Sequence, residues 1–169
     1  PMILKPVHEG SSIGMTKVTR ELDLKQAWRN AEQYDSEVLA ERWVEGTEYT
    51  AAIVADTALP LIRLETPREF YDYEAKYQAD STRYHCPCGL APDQEFQFQE
   101  LAKHAFAAVA ATGWGRVDFF LDAAHRPWLI EVNTVPGMTD HSLVPMAARV
   151  FGWDMPELVW RILETSAEG

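Results

Sequence analysis

Hydrophobic residues in this chain fall into short runs that are separated by turn-forming and charged residues. Residues 2–5 form the first apolar run, which Pro6 closes because proline cannot donate to a sheet ladder. Further runs with strand character occupy residues 15–18, 37–43, 48–55, 59–64, 115–122 and 127–133. The chain is therefore expected to be rich in short strands that are joined by tight turns.

Helical periodicity occurs between these runs. Asp23 and Gln26 have the spacing of a capping box, and apolar residues follow them at helical intervals. Residues 93–112 carry one apolar stripe and end beside Gly113, which predicts a second helix. Further helices are predicted at residues 143–151 and 156–163. Strands and helices do not alternate regularly, so the predicted fold class is α+β, with hairpins and meanders.

Composition and charge limit the class of protein. The chain has 169 residues, of which 47% are hydrophobic, and this composition is typical of a globular fold rather than a disordered tail. Its formal net charge of −11 argues against a nucleic-acid partner. Anionic small molecules remain compatible where metal ions or local basic groups neutralise them. No apolar run is long enough for membrane insertion. Because a strand-like run opens the chain without a lead-in, we expect a C-terminal piece of a longer protein.

The cysteines indicate a reducing compartment. Cys86 and Cys88 are the two cysteines of the chain, and they flank Pro87. Spacing of one residue disfavours a mutual disulfide, and two ligands do not make a zinc site. A reduced thiol pair without a chemical role is the favoured interpretation, and it predicts a cytoplasmic protein.

Polar residues on the last two predicted strands are the strongest candidates for chemistry. If these strands form a hairpin over a four-residue loop, Asp118 faces Glu131 and Arg116 faces Asn133, all on one side of the sheet. Directly opposed Cβ atoms lie about 4.5–5.5 Å apart, so the two carboxylates need a compensating charge. A hard cation such as Mg²⁺ bound by Asp118, Glu131 and Asn133 supplies it. The alternative is that one carboxylate pairs with Arg116 and the others are solvated.

Two further features can contact an anionic ligand. Residues 8–14, HEGSSIG, form a loop in which glycines permit tight bending and serine hydroxyls can face phosphate oxygens. The loop is not a Walker motif, and most loops of this composition are only turns. Lys5 ends an apolar strand and Lys76 lies in a tyrosine-rich segment, where either can supply positive charge. A solvated surface lysine is the commoner case for each.

Taken together, these motifs resemble the C-terminal part of the D-alanine–D-alanine ligases, which are ATP-grasp enzymes. The matching stretches are LKPVHEGSSIGMTKV, EVLAERWVEGTEYT, FYDYEAKY, GWGRVDFFLD and IEVNTVPGMTDHSLVP, in the family's order. The resemblance implies an ATP-grasp C-terminal domain with a largely antiparallel sheet and flanking helices. The family's N-terminal domain is absent from these residues. Three segments follow from the motifs: 1–64 with the phosphate loop and adenine-edge strands, 65–92 as a lid-type loop, and 93–169 with the metal site and second-substrate loop.

The resemblance also implies the reaction. ATP phosphorylates the carboxylate of one D-alanine, and the amine of a second D-alanine attacks the acyl phosphate, which serves the synthesis of peptidoglycan precursors. Two Mg²⁺ ions, with Mn²⁺ as a substitute, are held by the residues at the family's metal positions, Asp118, Glu131 and Asn133. A homodimer is implied for the full-length parent. The piece alone is expected to bind Mg-ATP weakly and to form no dipeptide.

Matching motif positions imply a role for each of the other candidate residues. The catalytic positions are Arg116, Gly137, Ser11, Tyr77 and Lys76, with Arg116 and the Gly137 amide at the oxyanion. The nucleotide contacts are Lys5, Ser12, Lys76, Glu41, Arg42, Trp43, Val44 and Glu48. The substrate contacts are Glu9, Ser142 and Leu143, and the family's substrate side also includes Ser11 and Tyr77. A tyrosine at position 77 matches the members that form D-alanyl-D-alanine, and Arg42 stands where lysine is frequent.

Alternatives to this function remain at the level of sequence. Another ATP-grasp carboxylate–amine ligase is one, although YDYEAKY and DHSLVP argue against it. A non-catalytic Mg-nucleotide-binding module is the other, and the intact set of polar residues argues against decay. The polar segment 66–92 has no clear period. It is either a mobile lid that orders over ATP and excludes water, or an ordinary surface loop.

Overall fold

The computed structural model describes residues 1–66 and 82–167. The chain divides into two compact units, the first comprising Pro1–Val44 and Thr66–Arg83, the second Glu45–Glu65 and Tyr84–Gly169. The boundary after Val44 lies inside the segment 1–64, so residues of that predicted segment contribute to both units. Most of the polar segment proposed as a lid lies outside the described residues.

The first unit contains an antiparallel sheet with one helix packed on it. Its strands are β1 (Met2–Pro6), β2 (Thr16–Val18) and β3 (Val38–Arg42), in the order β2-β1-β3. Helix α1 (Leu24–Glu32) follows a short 3₁₀ helix and buries small side chains against the sheet. The core of this unit consists of Leu4, Val18 and Ala27. The strands predicted at residues 2–5, 15–18 and 37–43 are thereby confirmed, with small changes at their ends.

The predicted capping box at the start of α1 is wrong. The Asp23 carboxylate accepts hydrogen bonds from Nε and Nη2 of Arg20, both at 2.8 Å, and makes no bond to the first turn of α1. Asp23 has helical backbone angles (φ −85°, ψ −13°), whereas a capping residue normally has an extended backbone. Gln26 donates instead to Asn30, one turn further along the helix.

The second unit contains a larger sheet with helices beside it. Its strands are β4 (Thr47–Val54), β5 (Thr57–Ala58), β6 (Ile62–Glu65), β7 (Arg83–His85), β8 (Trp114–Leu121) and β9 (Pro127–Asn133). The strand order is β7-β6-β4-β8-β9, with β5 paired to β4, and β7 lies at the boundary between the units. The β4–β6, β4–β8 and β8–β9 pairs are all antiparallel.

Three helices complete the second unit: α2 (Pro92–Ala108), α3 (Leu143–Phe151) and α4 (Met155–Ala167). Helix α2 covers the sheet through Phe98 and Phe106, and Phe98 lies against Phe119 of β8 with ring centroids 6.0 Å apart. Tyr49 of β4 stacks on the same Phe119 ring at 5.9 Å. Among the described helices, none combines the length and the apolar character that crossing a membrane requires.

Several predicted boundaries in this unit are wrong for identifiable reasons. Helix α2 ends at Ala108 rather than near Gly113, because Ala110 adopts a left-handed backbone (φ 55°) that leaves the helix. Val109, predicted on the buried stripe, is 59% exposed. Strand β7 lies within the predicted loop at 66–92, where three residues are too few for a period to be visible.

The described cysteines are both free, as predicted.

A carboxylate fastens the turn between β8 and β9. Asp122 accepts hydrogen bonds from the backbone N–H groups of Ala124 and Arg126, from Nε of Arg126, and from Nε1 of Trp128, at 2.8–3.1 Å. The backbone N–H of Arg126 contributes most to holding the pKa of Asp122 well below its usual range, and the Trp128 and Arg126 side chains add to it. The hairpin that carries the candidate site is therefore closed by an ionised side chain.

We expect Asp122→Asn to lower the melting temperature by a few degrees at pH 7. The NH₂ group of asparagine would replace a carboxylate oxygen and face N–H groups that need an acceptor. A carboxyl whose pKa is lowered in the folded state stabilises the fold above its unfolded pKa of about 4 and loses that contribution as the pH falls. The gap between wild type and variant should therefore narrow towards pH 3. Thermal unfolding between pH 3 and 7 measures this, with the exposed Asp56→Asn change in the turn after β4 as control. A gap that stays constant with pH contradicts the assignment.

Candidate functional site

Strands β8 and β9 pair in the predicted register at the candidate site. Arg116 lies opposite Asn133, and Asp118 lies opposite Glu131. Nearer to the turn the pairing shifts by one residue, and Ile130 is the extra residue of the resulting β-bulge. The four polar residues therefore share one face of the hairpin, as the alternation of the strands predicts.

The Asp118 carboxylate is the centre of this group. Arg116 donates to it from Nε (2.8 Å) and Nη2 (2.7 Å), which is a bidentate pair, and Asn133 donates from Nδ2 at 3.0 Å. The side chains of Asp118 and Arg116 are only 8% and 13% exposed. The structure thus contains the ion pair between Arg116 and one carboxylate, that of Asp118, which the sequence analysis gave as the alternative. Glu131 is exposed, and it accepts a 3.2 Å hydrogen bond from Nδ2 of Asn133.

Thr50 is a member of this group that sequence reasoning missed. It lies opposite Asp118 on β4, and its hydroxyl donates a short hydrogen bond to Oδ1 of the same carboxylate. Thr50 is 2% exposed, and it is the polar residue in a strand whose remaining inner positions are apolar. A buried hydroxyl requires a partner, so its position in that apolar run was the signal available.

The donor set fits a hard divalent cation. Nδ2 of Asn133 donates to Oδ2 of Asp118 and to Oε1 of Glu131, so the amide group lies between the two carboxylates. The amide oxygen of Asn133 would face a cation at that point once the amide group is turned over. Oxygen donors of the carboxylate and amide type are those that Mg²⁺ binds. Within residues 1–66 and 82–167, no three His, Cys, Asp or Glu side chains form a metal-binding group. A site here therefore needs the amide of Asn133 as its third ligand.

The second-substrate residues predicted from the resemblance lie at the start of α3. Oγ of Ser142 accepts a 2.9 Å hydrogen bond from the backbone N–H of Thr139 and exchanges another with the Thr139 hydroxyl. A Cβ atom on Gly137 would lie 2.9 Å from Oγ of Ser142, so this close approach favours glycine. Leu143 is buried at the start of the helix. The structure thus brings the predicted Gly137, Ser142 and Leu143 together.

Most of the predicted nucleotide contacts of the first unit lie on β1, at the end of β3 and directly after β3. Lys5 forms an ion pair with Glu41 at 2.5 Å, and the Lys5 side chain is 25% exposed. Nζ of Lys17 lies 4.2 Å from the centre of the Trp43 ring, which is a cation–π contact. The backbone N–H of Trp43 donates to the carbonyl of Pro1. Arg42 ends β3 and Val44 ends the unit, while Glu48 belongs to β4 of the second unit.

The glycine- and serine-rich loop is a tight structure in the first unit. Ser11 and Ser12 both have left-handed backbones, with φ of 53° and 61°. The N–H of Ile13 donates to the carbonyl of Gly10 at 3.1 Å. Glu9 is exposed at the entrance of the loop. Of the remaining predicted residues, Lys76 and Tyr77 lie outside the described part of the chain.

Comparison with known proteins identifies the family. Residues 1–164 match the family described as the D-ala D-ala ligase C-terminus. The D-alanine–D-alanine ligase of Alkalilimnicola ehrlichii is 61% identical over 96% of this chain and 52% of its own length. The corresponding protein of Methylococcus capsulatus is 58% identical over 98% of this chain and 54% of its own length. The chain therefore spans about half the length of the curated relatives it matches.

Solved structures agree with the sequence comparison. The VanG D-Ala:D-Ser ligase from Enterococcus faecalis superposes with a TM-score of 0.87 at 30% identity, over 98% of this chain and 49% of that one. The D-alanine–D-alanine ligase from Bacillus anthracis complexed with ATP gives a TM-score of 0.82 at 30% identity, over 99% and 54%. The fold is that of these ATP-grasp ligases, and this chain belongs to the D-alanine–D-alanine ligase family, of which it contains the C-terminal part.

Proposed function

We propose that this chain is the ATP- and metal-binding part of a ligase that joins two D-alanines through an acyl phosphate. The observation that carries the proposal is the hydrogen-bonded group of the buried Thr50 and Asp118 with the half-buried Arg116 and Asn133, beside Glu131, in a chain of this family. Polar side chains are expensive to bury, and this group places two carboxylates close enough together for a cation to neutralise both.

The residues of the group divide the work of binding and charge stabilisation. Asp118, Glu131 and Asn133 would hold the Mg²⁺ ions, which supply neutralisation of the ATP phosphates when bound. Arg116 places a permanent positive charge at the same face, and we assign it to the oxyanion of the tetrahedral intermediate. Thr50 donates to Asp118 and fixes the orientation of that carboxylate.

The other candidate residues are assigned to the ligands by position. Lys5, Lys76, Ser11 and Ser12 would contact phosphates, and Glu41, Arg42, Trp43, Val44 and Glu48 would bind the nucleoside. Ser142 and Leu143 would place the second D-alanine, with the Gly137 amide at the oxyanion and Glu9 and Tyr77 on the substrate side. We assign the full-length protein to a cytoplasmic homodimer, after its family.

The acceptor is proposed to be D-alanine rather than D-serine. The reported relatives that are 61% and 58% identical to this chain are both named D-alanine–D-alanine ligase, and this similarity supports D-alanine as the acceptor. The tyrosine at position 77 supports D-alanine over D-lactate as the acceptor, because it matches the members that form D-alanyl-D-alanine.

Activity with a panel of acceptors tests this function. A full-length ligase that carries this chain should release phosphate from ATP in the presence of D-alanine and form D-alanyl-D-alanine, detected by mass spectrometry. D-serine and D-lactate should be poorer acceptors by at least about tenfold in kcat/KM, which corresponds to about 1.4 kcal/mol in transition-state binding. The 169-residue chain alone should bind Mg-ATP weakly in calorimetry and release no phosphate. D-alanine-dependent phosphate release by this chain alone would contradict that expectation.

A further inference from the structure

The loop at residues 8–14 holds two strained residues in succession. Ser11 and Ser12 have φ of 53° and 61°, a region that non-glycine residues adopt at a cost of about 1–3 kcal/mol each. Within the loop, the bonds from Ile13 to Gly10 and from Met15 to Ser12 measure 3.1 and 3.4 Å. Bonds within a loop do not set its position on the unit, which depends on contacts between its ends and neighbouring elements.

Asp35, in the connection from α1 to β3, holds the first end. Its Oδ2 accepts hydrogen bonds from the backbone N–H of His8 (2.8 Å) and from Nδ1 of His8 (2.7 Å), and its Oδ1 accepts from the N–H of Glu37 (3.1 Å). The Asp35 side chain is 12% exposed, whereas that of His8 is 73% exposed. Because an ionised carboxylate only accepts, the imidazole donates from Nδ1.

The charge of Asp35 is suited to this anchoring. The N–H of Glu37, followed by the N–H and the ring of His8, lowers the pKa of Asp35 to about 2. The carboxylate therefore stays ionised throughout the pH range in which the loop would meet a ligand. Hydrogen bonds to an ionised acceptor are about twice as strong as bonds between neutral groups.

The residue next to Asp35 closes the other end of the loop. A Cβ atom on Gly14 would lie 2.6 Å from Cδ2 of Tyr34 and 2.8 Å from Cγ of Pro6, so the chain passes close to both rings. Gly14 also has φ of 71°, which glycine adopts freely. Tyr34 and Asp35 therefore hold the two ends of the same loop, and the N–H groups of both donate to the carbonyl of Ala31 at the end of α1.

We propose that Asp35 is a positioning residue that fixes the loop at residues 8–14 for contact with the phosphates of the nucleotide, an inference that rests on the proposed function. Asp35 reaches no ligand itself, and it acts through His8 at the entrance of the loop. Asparagine at this position is a poor substitute, because each orientation of its amide turns an NH₂ group towards an N–H that the carboxylate accepts from.

Nucleotide binding by Asp35→Asn, in a full-length ligase that carries this chain, tests the proposal. We expect the Kd for Mg-ATP to rise by about tenfold, as loss of a charge-assisted hydrogen bond does, while the Kd for adenosine is unchanged because adenosine lacks phosphates. Asp23→Asn is the matched control. It changes another carboxylate of the same unit that accepts hydrogen bonds from a basic side chain, but its partner is Arg20, which lies outside the loop. His8→Ala keeps the backbone bond to Asp35 and should show a smaller rise than Asp35→Asn.

Two results would overturn the proposal. One is an Asp35→Asn variant whose ATP affinity equals that of Asp23→Asn, and the other is equal weakening of ATP and adenosine, which indicates general damage to the unit. The proposed function fails separately, if the wild-type ligase neither binds ATP nor forms the dipeptide.

Discussion

Asp118→Ala, in a full-length ligase that carries this chain, is expected to lower kcat/KM for dipeptide synthesis by a factor of about 10³ or more. Asp118 is assigned as a metal ligand, and it is also the partner of Arg116, Thr50 and Asn133. Its removal takes away the carboxylate that the largely buried Arg116 binds through two nitrogen atoms, and breaking such a pair costs about 3–5 kcal/mol. Steady-state kinetics and urea denaturation of the same variant measure the two effects.

Glu131→Ala separates metal binding from stability. Glu131 is exposed and accepts a hydrogen bond from Asn133, so its loss should leave the free energy of unfolding, measured by urea denaturation, within about 0.5 kcal/mol of wild type. Turnover should fall nonetheless, because a ligand of the proposed Mg²⁺ site is gone. If activity survives both Asp118→Ala and Glu131→Ala, the metal assignment is wrong.

The fold was predictable wherever periodicity extended over several residues. Residues 127–133 and 143–151 of the sequence coincide with β9 and α3, because each has a clear alternation or helical pattern and a distinct end. Boundaries failed where one local conformation decided them. Ala110 leaves α2 through a positive φ that no apolar pattern encodes. Asp23 has the right spacing for a cap, but its carboxylate binds Arg20, three residues earlier, instead of the first turn of the helix.

The register of β8 and β9 at the candidate site was predictable, but the contact between Thr50 and Asp118 was not. The prediction assumed regular pairing over a four-residue loop, whereas β8 and β9 are out of that register near the turn and return to it at a β-bulge. Asp118 and Glu131 therefore face each other as expected. The contact of Thr50 with the Asp118 carboxylate depends on β4, which pairs with the other side of β8. Contacts between strands that are distant in sequence leave no trace in local spacing.

Gly115→Ala is a substitution that we expect to destabilise the second unit. A Cβ atom there would lie 2.5 Å from Cε2 of Phe106 and 2.7 Å from the carbonyl oxygen of Asn133. Both neighbours are constrained, since Phe106 is 5% exposed in the core and the second atom is backbone of β9. Overpacking of this kind costs about 1–3 kcal/mol, and it also displaces Asn133 from Asp118. We therefore expect a lower urea midpoint and weaker Mg-ATP binding in the same variant.

Gly10→Ala is the stability control, because a Cβ atom on Gly10 would meet nothing within 4 Å. Its free energy of unfolding, measured by urea denaturation, should stay within about 0.5 kcal/mol of wild type. Combining Gly115→Ala with Phe106→Leu removes one of the two clashes, so stability should recover only in part while Asn133 stays displaced. If Phe106→Leu restored both stability and Mg-ATP binding in full, the Phe106 ring alone would require glycine at position 115. The close approach to the Asn133 carbonyl oxygen of β9 would then not matter. A Gly115→Ala variant as stable as wild type would refute both forms of the argument, because neither neighbour would then restrict the site.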